Sequence, residues 1–238
     1  AVLARTHKMR SAAAPLGRER GRLIGVIAAK GGVGVSTLAL NTALSIQSRH
    51  KKKVALADFR PGCGSLGLEL GYFDAQALTR LLELPAEQIS LEAIEALLVS
   101  HSLQVRLLLS SPYPYDAQYA CAVDKFQAIA RLLPYLGDYA MIDLGAALTP
   151  VNEKVIEQCD LLIVVLEPVA TTVAQTRTMC EYLVGKGFSE ENMLYVLINR
   201  VRTGMQLPLS QVQDQFGRAV TIVFAPAPDM AYEASRSH

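Results

Sequence analysis

The sequence predicts one doubly wound α/β domain built on a mostly parallel sheet of about seven strands, with helices on both faces. Three observations predict it. Seven apolar runs of strand length recur along the chain, segments with helical spacing separate them, and a glycine-rich loop lies where the first run gives way to the first helical segment. Strands buried on both faces read as continuous apolar runs rather than alternating ones. Their alternation with helical segments is the pattern that layers helices over a parallel sheet. With 238 residues, 51% hydrophobic and 19% charged, the chain can fill one substantial core and gives little sign of two.

Residues 1–21 come first and differ from the rest. Arg5, Lys8, Arg10, Arg18 and Arg20, with Arg22 just beyond, crowd among Ala, Ser, Pro and Gly without a sustained apolar period. They read as a basic linker or arm, a solvated tether or an arm that touches acidic lipid or DNA, and residues 22–238 read as the folded domain. The strands expected in order are "RLIGVIAA", "KVALADF", "VRLLLSS", "YAMIDLG", "LLIVVLEP", "MLYVLINR" and "AVTIVFAP". Helical spacing is clearest over Ser36 to Arg49, Ser90 to Val99, Asp124 to Leu136, Asn152 to Cys159 and Val173 to Lys186. Lys51 to Lys53 read as a solvated helix-to-strand turn. In such a sheet, ligands bind beyond the carboxyl ends of the strands, so residues just after strands are the ones to inspect.

Several classes are disfavoured. A net charge of +1 gives no global electrostatic reason to expect nucleic-acid binding. No run of about 18 apolar residues exists, and the start lacks the apolar core of a signal peptide, so a cytoplasmic protein is expected. Cys63, Cys121, Cys159 and Cys180 are far apart with no C-x-x-C pair, which argues for packed thiols over zinc or a disulfide framework. The chain begins without Met and ends "SRSH", so an excised domain is expected.

The loop "KGGVGVST", Lys30 to Thr37, follows the first strand and opens the first helix. Its glycines let backbone N–H groups curl inward, and the helix N-terminus adds a positive dipole, so an anion site is supported without a lysine. The usual phosphate-loop pattern, G-x-x-x-x-G-K-[ST], is eroded: Ala29 replaces the first glycine and Val35 the lysine. A dinucleotide fingerprint, G-x-G-x-x-G with Asp58 as the ribose acid, is the competing reading, weakened by Thr37 at the last glycine position. Asp58 and Asp143 each end an apolar strand. Together they are what a hydrated Mg²⁺ wants, with the Ser36 hydroxyl, although each taken singly could cap the following helix. Asn199 follows "YVLI" and, from its type alone, could be a turn residue.

In this order, "KGGVGVST", "VALADF", "YAMIDLG", "LLIVVLEPVATTVAQTRTM" and "VLINR" resemble the MinD/ParA family of deviant Walker ATPases, over nearly everything from Leu23 to Tyr232. Within it, "GSLGLELGYFDAQALTRLLE", the segment after it and the eroded lysine look most like the CpaE/TadZ branch, associated with siting of the Flp/Tad pilus machinery. The resemblance implies ATP or ADP with Mg²⁺ as ligands. It assigns Gly31, Gly32, Val33, Gly34, Val35, Ser36 and Thr37 to the phosphates, and Asn199, Arg200 and Pro226 to the base. Ser36, Asp58 and Asp143 become the Mg²⁺ set. Lys30, Asp58 and Asp143 become the catalytic set, with Lys30 crossing to a partner's nucleotide in an ATP-bound homodimer. The branch also commonly carries a receiver-like domain ahead of this one, which would account for the basic linker.

Two departures from the family matter. Val35 replaces the loop lysine, and Arg60 stands where the family has its water-activating aspartate, two positions after Asp58. Losing both should damage hydrolysis far more than binding. Arg60 either swings towards the phosphates or faces solvent. The leading expectation is therefore an ATP-dependent dimerisation switch that recruits pilus-assembly or polar-localisation proteins. The alternatives are an active MinD/ParA-type ATPase in spatial positioning, which Lys30 and Asp143 favour and Val35 and Arg60 oppose, and a scaffold that binds no nucleotide. Location at the inner membrane or cell pole is part of the same expectation, while DNA or membrane contact has no motif behind it.

Overall fold

The computed structural model describes residues 17–100, 104–199 and 206–226. At its centre is β1 (Arg22–Ala28), whose side chains after Arg22 are all buried. The loop after it leads into α1 (Val35–His50), and β2 (Val54–Asp58) follows. Next come three short helices, α2 (Leu66–Glu69), α3 (Ala77–Glu83) and α4 (Leu91–Leu97), then β3 (Val99–Ser100) and β4 (Arg106–Leu108). Beyond them lie α5 (Val123–Leu132), β5 (Tyr139–Ala146), α6 (Pro150–Ile156), β6 (Leu161–Leu166) and α7 (Ala170–Gly185). The last described elements are β7 (Met193–Ile198), α8 (Leu209–Phe216) and β8 (Ile222–Phe224).

The sheet has eight strands in the order β3-β4-β2-β5-β1-β6-β7-β8, against about seven expected. All seven apolar runs contain a strand. The eighth, β3, pairs antiparallel with β4 and is two residues long, and every other pairing is parallel. Chain connections leave β1 towards β2 on one side and, later, β6 on the other. The carboxyl end of β1 thus lies at the point where the winding reverses, which is where α/β sheets place ligands.

Alternation along β1 divides the interior into two layers. Leu23 and Ile27 join one core with Phe126, Ile129, Val155 and Phe216, while Ile24, Val26 and Ala28 join a second with Ala39, Leu40 and Ala43 of α1. Small residues on the buried stripe of α1 let it lie close to the sheet. Its end is marked by Lys51 in the left-handed region, φ 54°, with its N–H bonded to the Gln47 carbonyl, and by Arg49 and His50 in the last turn, favourable against the helix dipole.

Two helices begin on side-chain caps: the Ser90 hydroxyl accepts from the Ala93 N–H and the Thr149 hydroxyl from the Asn152 N–H. The helix expected over Asp124 to Leu136 is shorter. It stops at Leu132 and finishes as a 3-10 turn over Leu133–Leu136, because Pro134 has no N–H to donate. Of the four thiols, Cys159 and Cys180 are packed as expected, but Cys63 and Cys121 are exposed. No described helix is long and apolar enough to cross a membrane.

One packing contact bears on the site. Phe59, the residue after β2, meets Phe126 of α5 edge-on with ring centroids 5.0 Å apart, and both are buried. Phe126→Ala should therefore lower unfolding free energy by about 3–5 kcal/mol in urea titration, the usual range for truncating a buried phenylalanine. A loss under about 1 kcal/mol would show that α5 does not anchor the end of β2.

Candidate functional site

The loop between β1 and α1 turns by means of two left-handed glycines, Gly32 at φ 78° and Gly34 at φ 98°. A Cβ on Gly34 would also come within 3.2 Å of Ile198 Cδ1. The positive φ calls for glycine at both positions, and at Gly34 a side chain would also press on Ile198 of β7. Gly34 is the N-cap of α1 and offers no side-chain cap, and the first turn holds no acidic residue. The positive end of a 16-residue helix is left facing outward, the arrangement that attracts anions.

It faces a cavity of about 350 Å³ lined by Lys30, Gly31, Gly32, Gly34, Val35, Ser36 and Thr37, and opposite them by Arg60, Ser65, Glu69, Gly145 and Ala146. That volume lies in the range of small-ligand sites. Val33 is 1% exposed, belongs to the second core and does not line the cavity. Val35 is 7% exposed and packs in the same core while still bordering the cavity. Lys30 is half exposed, and its Nζ donates to Glu167 Oε1 at 3.0 Å, an oxygen that also accepts from the Thr172 hydroxyl at 3.1 Å.

The two aspartates are brought together as expected. Asp58 and Asp143 are register partners at the carboxyl ends of β2 and β5, and both are 0% exposed. Their counter-charge is Arg60. Its Nε and Nη2 take the two oxygens of Asp58 at 2.9 and 3.0 Å, and Nη2 also lies 3.0 Å from Ser65 Oγ. The same Nη2 is 3.1 Å from Asp143 Oδ2, close enough for an ion pair but without hydrogen-bond alignment. Asp143 Oδ1 accepts from the Gly145 N–H at 2.8 Å. Burial pushes the Asp58 carboxyl up to about 6, with Arg60 opposing that rise and Asp143 adding to it. Burial works against the charge of Arg60, yet Asp58 and Asp143 together hold it above its ordinary value.

Arg60 thus neither swings towards the phosphates nor faces solvent; it is folded back onto the carboxylates. Both carboxylates expected for Mg²⁺ are engaged by a guanidinium, and this donor set does not fit a divalent ion as it stands. The nucleotide fares better. Besides the helix N-terminus, the Oδ1 of Asn199, just after β7, is buried with no hydrogen-bond partner among the described residues. Asn199 lies outside the cavity lining but next to Ile198, whose Cδ1 a Cβ on Gly34 would crowd. Pro226 follows β8 in a half-buried position, and Arg200 lies outside the described residues. Sequence reasoning missed Ser65, Glu69, Gly145 and Glu167. The available signal was the need of two buried carboxylates for a cation and a donor near each strand end.

No family model matches the sequence, and neither does any curated protein. Solved structures do match. A ParA family ATPase from Chlorobium tepidum TLS superposes with a TM-score of 0.77 at 20% identity, covering 91% of this chain and 89% of that one. The fold is that of the MinD and ParA ATPases. The cell division ATPase MinD of Pyrococcus furiosus gives 0.75 at 21% identity, covering 90% and 87%. The septum site-determining protein MinD of Pyrococcus horikoshii OT3, solved with Mg-ADP, gives 0.75 at 21% over 90% and 85%. In this chain the loop after β1 and the ends of β2 and β5 share one edge of the sheet.

The raised carboxyl gives a pH test. Asp58 titrates near 3.9 when unfolded and at about 6 when folded, so folding takes up a proton between those values. Stability from the protonated form is fully present below about pH 4 and is lost as pH rises through about 6. The stability of the parent minus that of Asp58→Asn should fall across this window in denaturant titrations. A difference that stays flat or rises with pH would contradict the burial argument.

Proposed function

We propose that this protein is a nucleotide-dependent dimerisation switch that binds ATP and ADP at the loop Gly31–Thr37 and hydrolyses ATP slowly or not at all. The observation that carries the reading is the separation of two capacities at one site. The anion cradle is intact, because it is made of backbone and helix dipole, whereas the groups that act on the transferred phosphoryl are gone. Val35 offers a buried apolar side chain at the lysine position, and Arg60 holds two carboxylates at the place from which a carboxylate would orient water. Phosphoryl transfer relies on positioning and electrostatics, so such losses weigh on turnover more than on affinity.

Lys30 supports the dimer. It is exposed and held by one surface ion pair with Glu167, a contact usually worth about 1 kcal/mol or less, so it is free to be drawn to a partner's phosphates. Among MinD/ParA-like positioning systems, the sequence resemblance favours the CpaE/TadZ branch. The expected role is recruiting Flp/Tad pilus-assembly or polar-localisation proteins from the cytoplasm, the inner membrane surface or the cell pole. Residues 1–21 serve in this reading as the tether to a preceding domain.

The mass of the protein in solution should double with ATP and remain monomeric without it, and Lys30→Ala should weaken that doubling while leaving thermal stability unchanged. A monomer under both conditions removes the switch. Phosphate release should be about 10² slower or more than in a MinD/ParA ATPase that keeps the loop lysine, the usual cost of one lost electrostatic group. Val35→Lys with Arg60→Asp should hydrolyse faster than either single variant, since groups acting as one unit are not additive. Rapid release by the parent, abolished by Asp143→Ala, would favour the active ATPase instead.

A further inference from the structure

Two carboxylates with no exposed surface, side by side in register on β2 and β5, cannot be left without a cation, since an uncompensated buried charge costs several kcal/mol. A magnesium ion would meet that need with oxygen ligands about 2.0–2.1 Å away in near-octahedral geometry. The chain meets it with its own guanidinium. Nε and Nη2 of Arg60 form a two-toothed fork on Asp58, and Nη2 bridges to Ser65 and Asp143. Such a fork fixes direction as well as charge, and a guanidinium does not lose its proton near neutral pH.

Three further features hold the arginine there. Gly145 has φ 66°, and a Cβ on it would lie 2.5 Å from Arg60 Cδ, so the arginine stem lies in space that only a glycine leaves open. The Phe59 N–H donates to the Asp143 carbonyl at 3.0 Å, and its ring is clamped by Phe126, which fixes the backbone just before Arg60. The Cys63 N–H closes the turn on the Arg60 carbonyl at 3.0 Å. Nη1 takes part in none of the contacts with Asp58, Asp143 or Ser65, while Arg60 borders the cavity opposite the glycine loop.

We propose that Arg60 is a resident cation that takes the place of the divalent ion, so that this site binds nucleotide polyphosphate without a metal. The inference rests on the reading that the glycine loop binds nucleotide. Its charge logic is direct: the fork compensates the carboxylates, and the remaining face of the guanidinium joins the N-terminus of α1 in meeting the phosphates.

The test is titration of the full chain with the fluorescent analogue mant-ATP, in excess Mg²⁺ and in EDTA, for the parent and for Arg60→Gln. The parent should bind with dissociation constants within about threefold in the two buffers, a difference under 1 kcal/mol. Arg60→Gln should bind about tenfold or more weakly in EDTA and recover with Mg²⁺, because its bare carboxylates then favour the metal. A parent that loses tenfold or more affinity in EDTA overturns the inference and leaves the nucleotide switch standing. If mant-ATP binds in neither buffer, the nucleotide switch falls, and the Arg60 Nε–H resonance in a nitrogen-15 spectrum decides the cation. A resonance unmoved by Mg²⁺ supports the resident guanidinium. One that Mg²⁺ displaces overturns it, and the same spectrum serves if Arg60→Gln does not fold.

Discussion

Two aspartates buried side by side at the ends of neighbouring parallel strands set the terms for the rest of this site. Their placement follows from the sheet, because β2 and β5 are register partners up to Asp58 and Asp143. Their burial follows from the layers of helix above and below. Charge in that setting demands a cation, and Arg60, Gly145, Ser65 and the Phe59–Phe126 contact are all consequences of supplying one from within the chain. A loop of ordinary length thereby becomes a fixed structural element, tied to a central strand at one end and to α5 at the other.

The glycine loop across the cavity answers to different physics. Its attraction for anions comes from backbone N–H groups and the N-terminus of α1, neither of which depends on the side chain at position 35. Val35 could thus be absorbed into the apolar core beneath α1 without closing the cavity. In the proposed function binding and turnover would draw on separate groups, the first on the loop backbone and the second on the side chains at positions 35 and 60. Further along the sheet edge, Asn199 keeps a buried acceptor without a partner among the described residues.

Most of the fold was legible because buried parallel strands leave long apolar runs, and each of the seven runs holds a strand. Brevity hid β3: of its two residues, Val99 read as the end of the preceding helix and Ser100 as part of the connection after it. Local chemistry was misread at Pro134, where a periodic pattern continues but the hydrogen bonding does not. The run "AVTIVFAP" looked fully buried, yet Ile222, Val223 and Phe224 are 45%, 47% and 45% exposed, since composition does not tell an edge strand from a central one. Within the site, Lys30, Ser36, Asp58 and Asp143 could be placed because their positions follow from strand ends. The direction of Arg60 could not be, because it depends on space left by Gly145 on a strand 85 positions further along.

The account turns on what stands between Asp58 and Asp143 when the site is occupied. Crystals of the protein grown with ATP and Mn²⁺ would report this directly through anomalous scattering at the manganese edge. The account predicts no anomalous peak between the two carboxylates and the Arg60 guanidinium still seated on Asp58. A manganese peak within bonding distance of both carboxylates, with Arg60 turned away, would contradict it.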